Sequence, residues 1–424
     1  MHAILATFLL LPSGSPLLTV DDTPGSGAMY ATIQAAVDAA PDGATIRIAS
    51  GTYAAFSVTG KGLALVGDNG ALVNVAGTVS VQSLAADQEF MLRRLSIVGV
   101  GTQALQIAQA AGRVWIEECE VKTAIPAGQY QHGKTAVELN ACADVRVSRS
   151  AIQGAHGSSE AFSGSGPAKS GGIGIHAYGS TLRVYDSSVR GGSGGSAVPY
   201  GYLNAGQGAD AILLDGSRVT AWGTQLYGGH GGYSDYCYCP GQLYCGNPGN
   251  GGHCINTLSV PSGIVVELLG ATLVPGEGGP NGNWPTCPEG ANGQWVQNLL
   301  PNQTLVTPGP FRSFYSKSPV DDGAPAALFL EGVPGDLAVI AAGVPSGPFP
   351  IGDFVGLLFV APAGPLVYAG PWSAAALQPF SVTVPQQPPG FESLRVHLQG
   401  AVVTSAGQVR LLAPASLVVI DDAL

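Results

Sequence analysis

The sequence predicts an all-β fold: a right-handed parallel β-helix with an N-terminal capping helix, followed by a small C-terminal β-sandwich. Composition is the first observation behind this prediction. The 424 residues include 62 Gly and 31 Pro, and 46% are hydrophobic while only 11% are charged. The glycines alternate with short Val, Ile and Leu runs, a pattern typical of many short buried strands joined by tight turns. A disordered chain lacks such apolar runs.

Internal repetition is the second observation. Similar strand-like segments recur along the chain, and most run into a glycine-rich stretch just after a shared apolar position, the anchor. The anchors are Ile97, Val121, Ile152, Val189, Leu226 and Leu273. One such unit cannot bury its inward face alone, whereas stacked units bury a continuous column. Because no helical segment of about 10–15 residues separates the strand-like runs, the repeat favours a solenoid over an α/β sheet.

An amphipathic helix is predicted ahead of the first coil. Ile33, Ala36, Val37 and Ala40 share one helical face, and Pro41-Asp42-Gly43 ends the helix. Alternation begins again a few residues later. The exposed apolar end of a solenoid needs a cap of this kind.

The segment Thr32–Tyr53, TIQAAVDAAPDGATIRIASGTY, resembles the opening of pectin methylesterases and other pectin-lyase-like proteins. The resemblance implies a capping helix and a first strand that ends in Gly-Thr-Tyr. Beyond this segment it covers the coils to about residue 280 by pattern only. The paired carboxylates and motifs of the family's esterases, hydrolases and lyases are missing, and Gly229-His230-Gly231 is similar to one hydrolase motif only. The resemblance therefore speaks for the fold and says little about chemistry.

The pattern changes near residue 301, which predicts a β-helix over 21–300 and a β-sandwich module over 301–424. Short strand-like runs separated by Pro and Gly follow that boundary. The stretch Ala327–Asp421 resembles a C-terminal module of secreted proteins from planctomycete-like bacteria. That resemblance implies an accessory, attachment or stabilising role.

Two features predict a secreted or cell-surface location. Residues 1–20 are a candidate signal peptide, because the apolar run Ile4–Leu11 is too short to span a bilayer. Four cysteines crowd one glycine-rich segment, where disulfides would stabilise a long loop outside the cell: Cys237, Cys239, Cys245 and Cys254. A zinc site is the alternative, but Cys-x-Cys followed by single cysteines lacks paired zinc-ligand spacing. Cys119 and Cys142 lie within coils and are expected to be small buried side chains.

Charge restricts the partners. The net charge is −11 and only 17 residues are Lys or Arg, so the chain lacks the basic stripe that nucleic-acid binding requires. An acidic surface also repels polyanions unless Ca²⁺ bridges the two. No cofactor is predicted, although Ca²⁺ stays possible, and no stretch is long and apolar enough to span a membrane.

The insertions after the anchors are the predicted binding region. All leave the repeat at about the same point, so stacking should align them along one edge. Aromatic and imidazole side chains on loops of a rigid scaffold suit sugar-ring stacking and hydrogen bonding. The candidates are Tyr200, Tyr202, Tyr227, His230, Tyr233, Tyr236, Tyr238, His253 and Trp284. Alternatively, the tyrosines pack the loops against one another.

The sequence thus predicts a protein that binds or organises extracellular polysaccharide through loops on one edge of the solenoid. The alternative is a polysaccharide lyase or glycoside hydrolase with a divergent active site. His230 with Asp235 is the only His–acid pair considered for general acid–base catalysis. A passive surface or coat protein would need only the solenoid.

Overall fold

In a computed structural model the chain forms two compact units, residues 19–310 and residues 311–424 together with 1–18. The structure describes residues 14–421 except 127–129, 160–166, 198–203, 235, 240–241, 281–287, 308–310, 332, 351–353, 356, 362–365, 373–377 and 388–389. The candidate signal peptide therefore lies mostly outside the described residues.

The fold is nearly all β, with 49% strand and 3% helix. Three long parallel sheets make up the larger unit. Sheet 1 contains β1 (Leu17–Val20), β2 (Thr45–Ile48), β5 (Ala64–Gly67), β8 (Glu89–Arg93), β11 (Arg113–Glu117), β14 (Asp144–Ser148), β17 (Thr181–Tyr185), β20 (Arg218–Trp222), β25 (Val266–Leu269) and β28 (Thr304–Thr307). Sheet 2 contains β3 (Gly51–Ala54), β6 (Val73–Ala76), β9 (Leu95–Val100), β12 (Glu120–Ala124), β15 (Ala151–Gln153), β18 (Ser188–Arg190), β21 (Gln225–Tyr227) and β26 (Thr272–Val274). Sheet 3 contains β4 (Ser57–Thr59), β7 (Val79–Gln82), β10 (Leu105–Ala108), β13 (Val137–Asn140), β16 (Ile175–Tyr178), β19 (Ile212–Asp215), β24 (Ile255–Ser259) and β27 (Val296–Gln297).

Successive strands visit sheet 1, sheet 2 and sheet 3 in turn and then return to sheet 1. This order is consistent with a β-helix-like solenoid, with one coil for each round. The six sequence anchors are direct register partners on neighbouring strands of sheet 2. Five of them, from Ile97 to Leu226, are buried, whereas Leu273 on the terminal strand is half-buried. The sequence alignment therefore identified the inward-facing row of one sheet.

In the middle coils, two turns carry ladders of small polar side chains that hold neighbouring coils together. At the turn between sheets 1 and 2, the Cys119 N–H donates to Ser150 Oγ at 3.0 Å, and the Ser150 N–H donates to Ser187 Oγ at 3.1 Å. At the turn between sheets 3 and 1, the Cys142 N–H donates to Ser180 Oγ at 3.0 Å. Cys119 and Cys142 are buried free thiols, which confirms their predicted role as small interior side chains.

A short helix, α1 (Ile33–Ala39), precedes the first complete coil. Thr32 caps it, with its hydroxyl accepting from the Ala35 N–H at 3.2 Å. Ile33, Ala36 and Val37 are buried, as the periodicity predicted. The helix contacts β2 and β4, and the Ser57 N–H of β4 donates to Gln34 Oε1 at 2.8 Å.

The smaller unit has two sheets of its own. One contains β29 (Phe314–Ser316), β31 (Pro325–Leu330) and β35 (Gln378–Thr383). The other contains β30 (Val320–Asp321), β32 (Leu337–Pro350), β33 (Leu357–Ala361), β34 (Leu366–Pro371), β36 (Ser393–Val403) and β37 (Val409–Ile420). Both sheets contribute to one hydrophobic core that includes Leu328, Ile340 and Val396. The remaining short elements are β22 (Tyr236–Cys239), β23 (Gln242–Cys245) and a 3₁₀ turn at Pro301–Gln303.

Candidate functional site: the glycine array and the outer face of sheet 2

The long insertions all connect a strand of sheet 2 to the next strand of sheet 3. Each leaves sheet 2 as an outgoing segment and comes back to sheet 3 as a returning segment. The described outgoing segments are 154–159, 191–197, 228–234 and 275–280, and the described returning segments are 130–136, 167–174, 204–211, 246–254 and 288–295. We call these nine segments the glycine array. Except for isolated bridges, they form no helix or strand.

A network of backbone hydrogen bonds ties the segments together. Within the outgoing set, the Gly157 N–H donates to Ser193 O and the Gly194 N–H donates to His230 O, both at 2.8 Å. Other bonds alternate between the outgoing and the returning set. Each N–H group after the first donates to the carbonyl oxygen of the residue before it in the series Gly192, Ala209, Gly229, Gly252, Gly276 and Gly293. Those five bonds are 2.8–2.9 Å long. The insertions are therefore an ordered two-layer assembly held by the main chain.

Glycine is required because the segments approach so closely. A Cβ atom at Gly229 would lie 2.0 Å from the Gly192 oxygen, and one at Gly252 would lie 2.0 Å from the Ala209 oxygen. Glycine pairs recur every three residues, as in Gly228-Gly229 and Gly231-Gly232. A repeat of three matches the three residues per turn of a polyproline II helix. Two positions of each turn face other backbones, and the third carries the side chain that reaches solvent.

Histidines at these third positions cap backbone donors of the next insertion. Nδ1 of His132, His156, His230 and His253 accepts the N–H of Ser170, Ser193, Glu277 and Gln294 respectively, at 2.9–3.1 Å. An imidazole nitrogen accepts only when it is unprotonated, so each contact requires a neutral ring with its proton on Nε2. Burial and then the nearby charges of Lys169 and Lys134 lower the pKa of His132 from 6.5.

The described binding candidates lie on the two layers of the array or at the strand end directly before it. Tyr227, at the end of β21, lies under the Arg190 guanidinium, with Cζ 4.0 Å from the ring centroid. Its hydroxyl donates to Gln225 Oε1 at 2.9 Å. His230 is exposed and Tyr233 is half-buried on the same outgoing segment. His253 lies instead on a returning segment.

Several predicted residues cannot be placed. Tyr200, Tyr202, Asp235 and Trp284 lie outside the described residues, so the His230–Asp235 pair stays a prediction. The side chains of Tyr236, Cys237, Tyr238, Cys239 and Cys245 also lie outside the description, although their backbones form the antiparallel hairpin β22–β23.

Cys254 corrects one expectation. It is a free, fully buried thiol whose Sγ donates to Leu226 O at 3.4 Å. Burial raises the pKa of this thiol to about 12. Cys254 directly precedes β24, and its side chain faces the interior of the coil. The corresponding residue of the preceding coil is the buried Ala211. The predicted disulfide of Cys254 is therefore wrong in this structure, and the residue packs like Cys119 and Cys142.

A feature that sequence reasoning missed is the accessible outer face of sheet 2. Eight register partners, one per strand, form an outward row on this face: Thr52, Asn74, Ser96, Glu120, Ala151, Ser188, Gln225 and Thr272. Two depressions lie along it. The first, of about 470 Å³, is lined by Leu72, Asn74, Arg94 and Glu120 among others. The second, of about 70 Å³, starts at the same Glu120 and has Ala151, Gln153 and Arg190 in its lining.

Ionisable groups also converge beside sheet 1, but they are paired with one another. Glu117 and Glu118 accept from Arg93, Arg94 and Arg149 at 2.6–3.3 Å. Although burial alone would raise it, these three guanidinium groups lower the pKa of Glu118 to about 2. Arg93 and Glu117 are at most 1% exposed. Because the charges are buried and mutually neutralised, the cluster favours cohesion between coils over catalysis.

A second group on the outer face of sheet 1 has the same character. Asp144 accepts from Arg146 at 2.5 Å and also pairs with Arg183. The Arg146 guanidinium lies 4.6 Å from the centroid of the Trp115 ring. All four residues are less than 10% exposed.

Within the described part of the chain, no three His, Cys, Asp or Glu side chains are grouped so that they could hold a metal ion. In the same residues, no helix is long and apolar enough to cross a bilayer. No family model, curated protein or solved structure matches the chain. The fold itself defines a class: a nearly all-β protein built on long parallel sheets of stacked strands. The resemblance to pectin-lyase-like proteins stays a prediction.

Proposed function

We propose that the protein is a secreted or cell-surface parallel β-helix that binds extracellular polysaccharide through the outgoing side of the glycine array. In this proposal the coils are right-handed and of the pectin-lyase-like kind, α1 caps the first coil, and the smaller unit is a β-sandwich accessory module. The array is the binding element and the coils are its scaffold.

The observation that carries the proposal is the regular presentation of side chains along the outgoing segments and at the strand ends that lead into them. A first row lies directly before the outgoing segments and contains the register partners that end β15, β18, β21 and β26, namely Gln153, Arg190, Tyr227 and Val274. Three residues further along the chain, a second row contains His156, Ser193, His230 and Glu277. Neighbouring members of a row are separated by one coil, about 4.8 Å, which is comparable to one sugar ring in an extended chain.

Rigidity supports the same function. A surface that is already ordered loses less conformational entropy on binding. This matters for sugars because each contact with a sugar contributes little free energy. The backbone bonds between outgoing segments and the Arg190–Tyr227 contact hold the side chains in place before any ligand arrives. Tyr227 offers an amphipathic ring of the kind that stacks on sugars.

The test is a screen of immobilised glycans followed by affinity measurements with Tyr227→Ala. Loss of one stacking ring should weaken binding by roughly fivefold, as expected for about 1 kcal/mol. Tyr178→Ala is the matched control, because Tyr178 is a half-buried aromatic residue on sheet 3. Its affinity should equal that of the unmodified protein.

Two results would contradict the proposal. If no neutral or acidic glycan binds, the array is not a glycan-binding surface. If soluble products are released during the same incubations, the protein is a lyase or hydrolase and the binding role is secondary.

A further inference from the structure

We propose that the outer face of sheet 2 is a groove for an extended, uncharged polysaccharide that lies along the stack with about one sugar residue per coil. This inference rests on the proposed function and specifies its ligand. It adds a site outside the insertions, since the row that forms the groove floor begins at Thr52, well before the first array segment.

The composition of the row indicates the ligand chemistry. Seven of its eight members are uncharged: hydroxyl side chains at Thr52, Ser96, Ser188 and Thr272, amides at Asn74 and Gln225, and Ala151. Hydroxyl and amide groups both donate and accept hydrogen bonds, as sugar hydroxyls do. All eight side chains are exposed or half-buried, whereas the outward side chains of β14 on sheet 1 are buried.

The two depressions give the row the shape of a groove. Both are lined by Glu120, so they follow one another along the row, from the loop around Leu72 to Arg190. In the second depression Ala151 and Ser188 contribute the small side chains. Beside them runs the row Lys122, Gln153 and Arg190, which are register partners two residues further along the same strands.

Charge along the path disfavours an acidic polymer. Arg94 pairs with Glu118 at 2.6 Å, and Lys122 pairs with Glu120 at 2.8 Å. Arg190 lies over an aromatic ring. A polyuronate along the row would bring a negative charge at nearly every coil, yet two of the three cations beside the path, Arg94 and Lys122, are already paired with carboxylates in a protein of net charge −11.

The length of the row also determines how long a ligand must be to contact all of it. Eight strands at about 4.8 Å separation span about 34 Å. A chain long enough to reach from the first depression to Tyr227 should therefore bind more tightly than a short one, with affinity rising until the row is covered.

The experiment measures affinities for uncharged β-1,4-linked glucose and mannose oligomers, from dimer to octamer, and for galacturonate oligomers of the same lengths. Affinity for an uncharged series should rise at least tenfold from dimer to octamer, and the galacturonates should bind at least tenfold more weakly. Ala151→Trp fills the floor and should weaken octamer binding at least tenfold. Ala108→Trp, the same change on the outward row of sheet 3, should leave binding unchanged.

The outcomes separate this inference from the broader proposal. If glycans bind and Tyr227→Ala weakens their binding, but Ala151→Trp has no effect, the groove is wrong and the array proposal stands. Preference for galacturonates would also overturn the inference. If no oligomer or polymer binds at all, both proposals fail. The comparison of uncharged oligomers with galacturonates needs no variant, so it can overturn the inference even if a tryptophan variant does not fold.

Discussion

Replacing Gly229 with Ala should disrupt the glycine array. The new Cβ would lie 2.0 Å from the Gly192 oxygen, whereas ordinary contacts begin near 3.4 Å. The two segments must therefore separate by roughly 1.4 Å. The hydrogen bonds from Gly229 N–H to Ala209 O and from Gly252 N–H to Gly229 O are both 2.8 Å long. Both would stretch beyond hydrogen-bond distance.

The magnitude follows from these two effects. Each lost backbone bond costs about 1 kcal/mol, and overpacking in a close-packed region costs about 1–3 kcal/mol. We expect a loss of about 3–5 kcal/mol in the free energy of unfolding. Gly263→Ala is the control, because Gly263 has φ +83° and no atom near its absent Cβ. That change should cost only the left-handed backbone penalty of about 1–2 kcal/mol.

The assay is urea unfolding of both variants, with hydrogen exchange to locate the damage. Exchange in Gly229→Ala should accelerate at Gly252 and Gly276, which continue the same chain of bonds. If Gly229→Ala is no more destabilising than Gly263→Ala, or if exchange rises only in the coils, the insertions do not form the close-packed array.

Three further predictions concern single side chains. The pKa of His132 is lowered in the fold by burial, so its neutral form contributes stability above pH 6.5 that is lost as pH falls through the folded pKa. His132→Asn keeps a side-chain acceptor for the backbone N–H, as Asn250 does for Ala291. The urea midpoint of this variant should therefore change less between pH 7.5 and pH 5 than that of the unmodified protein, and an equal change in both proteins would contradict this. Cys254 should resist alkylation at pH 8 in the folded protein and react after unfolding, as mass spectrometry can show; rapid labelling of the native thiol would contradict its burial. Asp144→Ala should cost about 3–5 kcal/mol, since it removes the carboxylate that accepts from two buried guanidinium groups, whereas the exposed Asp87→Ala should cost less than about 0.5 kcal/mol in the same unfolding assay.

The stacked strands could be predicted from sequence because burial imposes a repeat. Every coil must place an apolar residue at the same inward position, so aligning Ile97 with Val121 and Ile152 recovered true register partners. The helix was predictable for the same reason, since its buried face follows a period of 3.6 residues.

The outward features could not be predicted in the same way. Whether an outward residue is exposed depends on what covers its sheet: Arg146 and Gln153 both alternate with apolar residues, yet the first is buried and the second is half-buried. The prediction for Cys254 was wrong because clustering along the chain suggested a disulfide, while its place in the coil sends the thiol inward. The array did leave a signal, since glycine pairs at a period of three mark segments that pack backbone against backbone.

The growth of the insertions along the chain has a structural logic. A longer flexible loop would present its side chains less regularly, and binding would have to overcome that entropy. Here each added segment donates backbone bonds to segments already in place, as Gly276 does to Gly252 and Gly293 does to Gly276. A longer insertion therefore adds ordered surface without adding conformational freedom to the backbone. Close backbone packing restricts two of every three positions mostly to glycine or alanine, so the third position of each turn carries the larger side chains. Those third positions that cap no backbone donor can change with the ligand without loss of the fold.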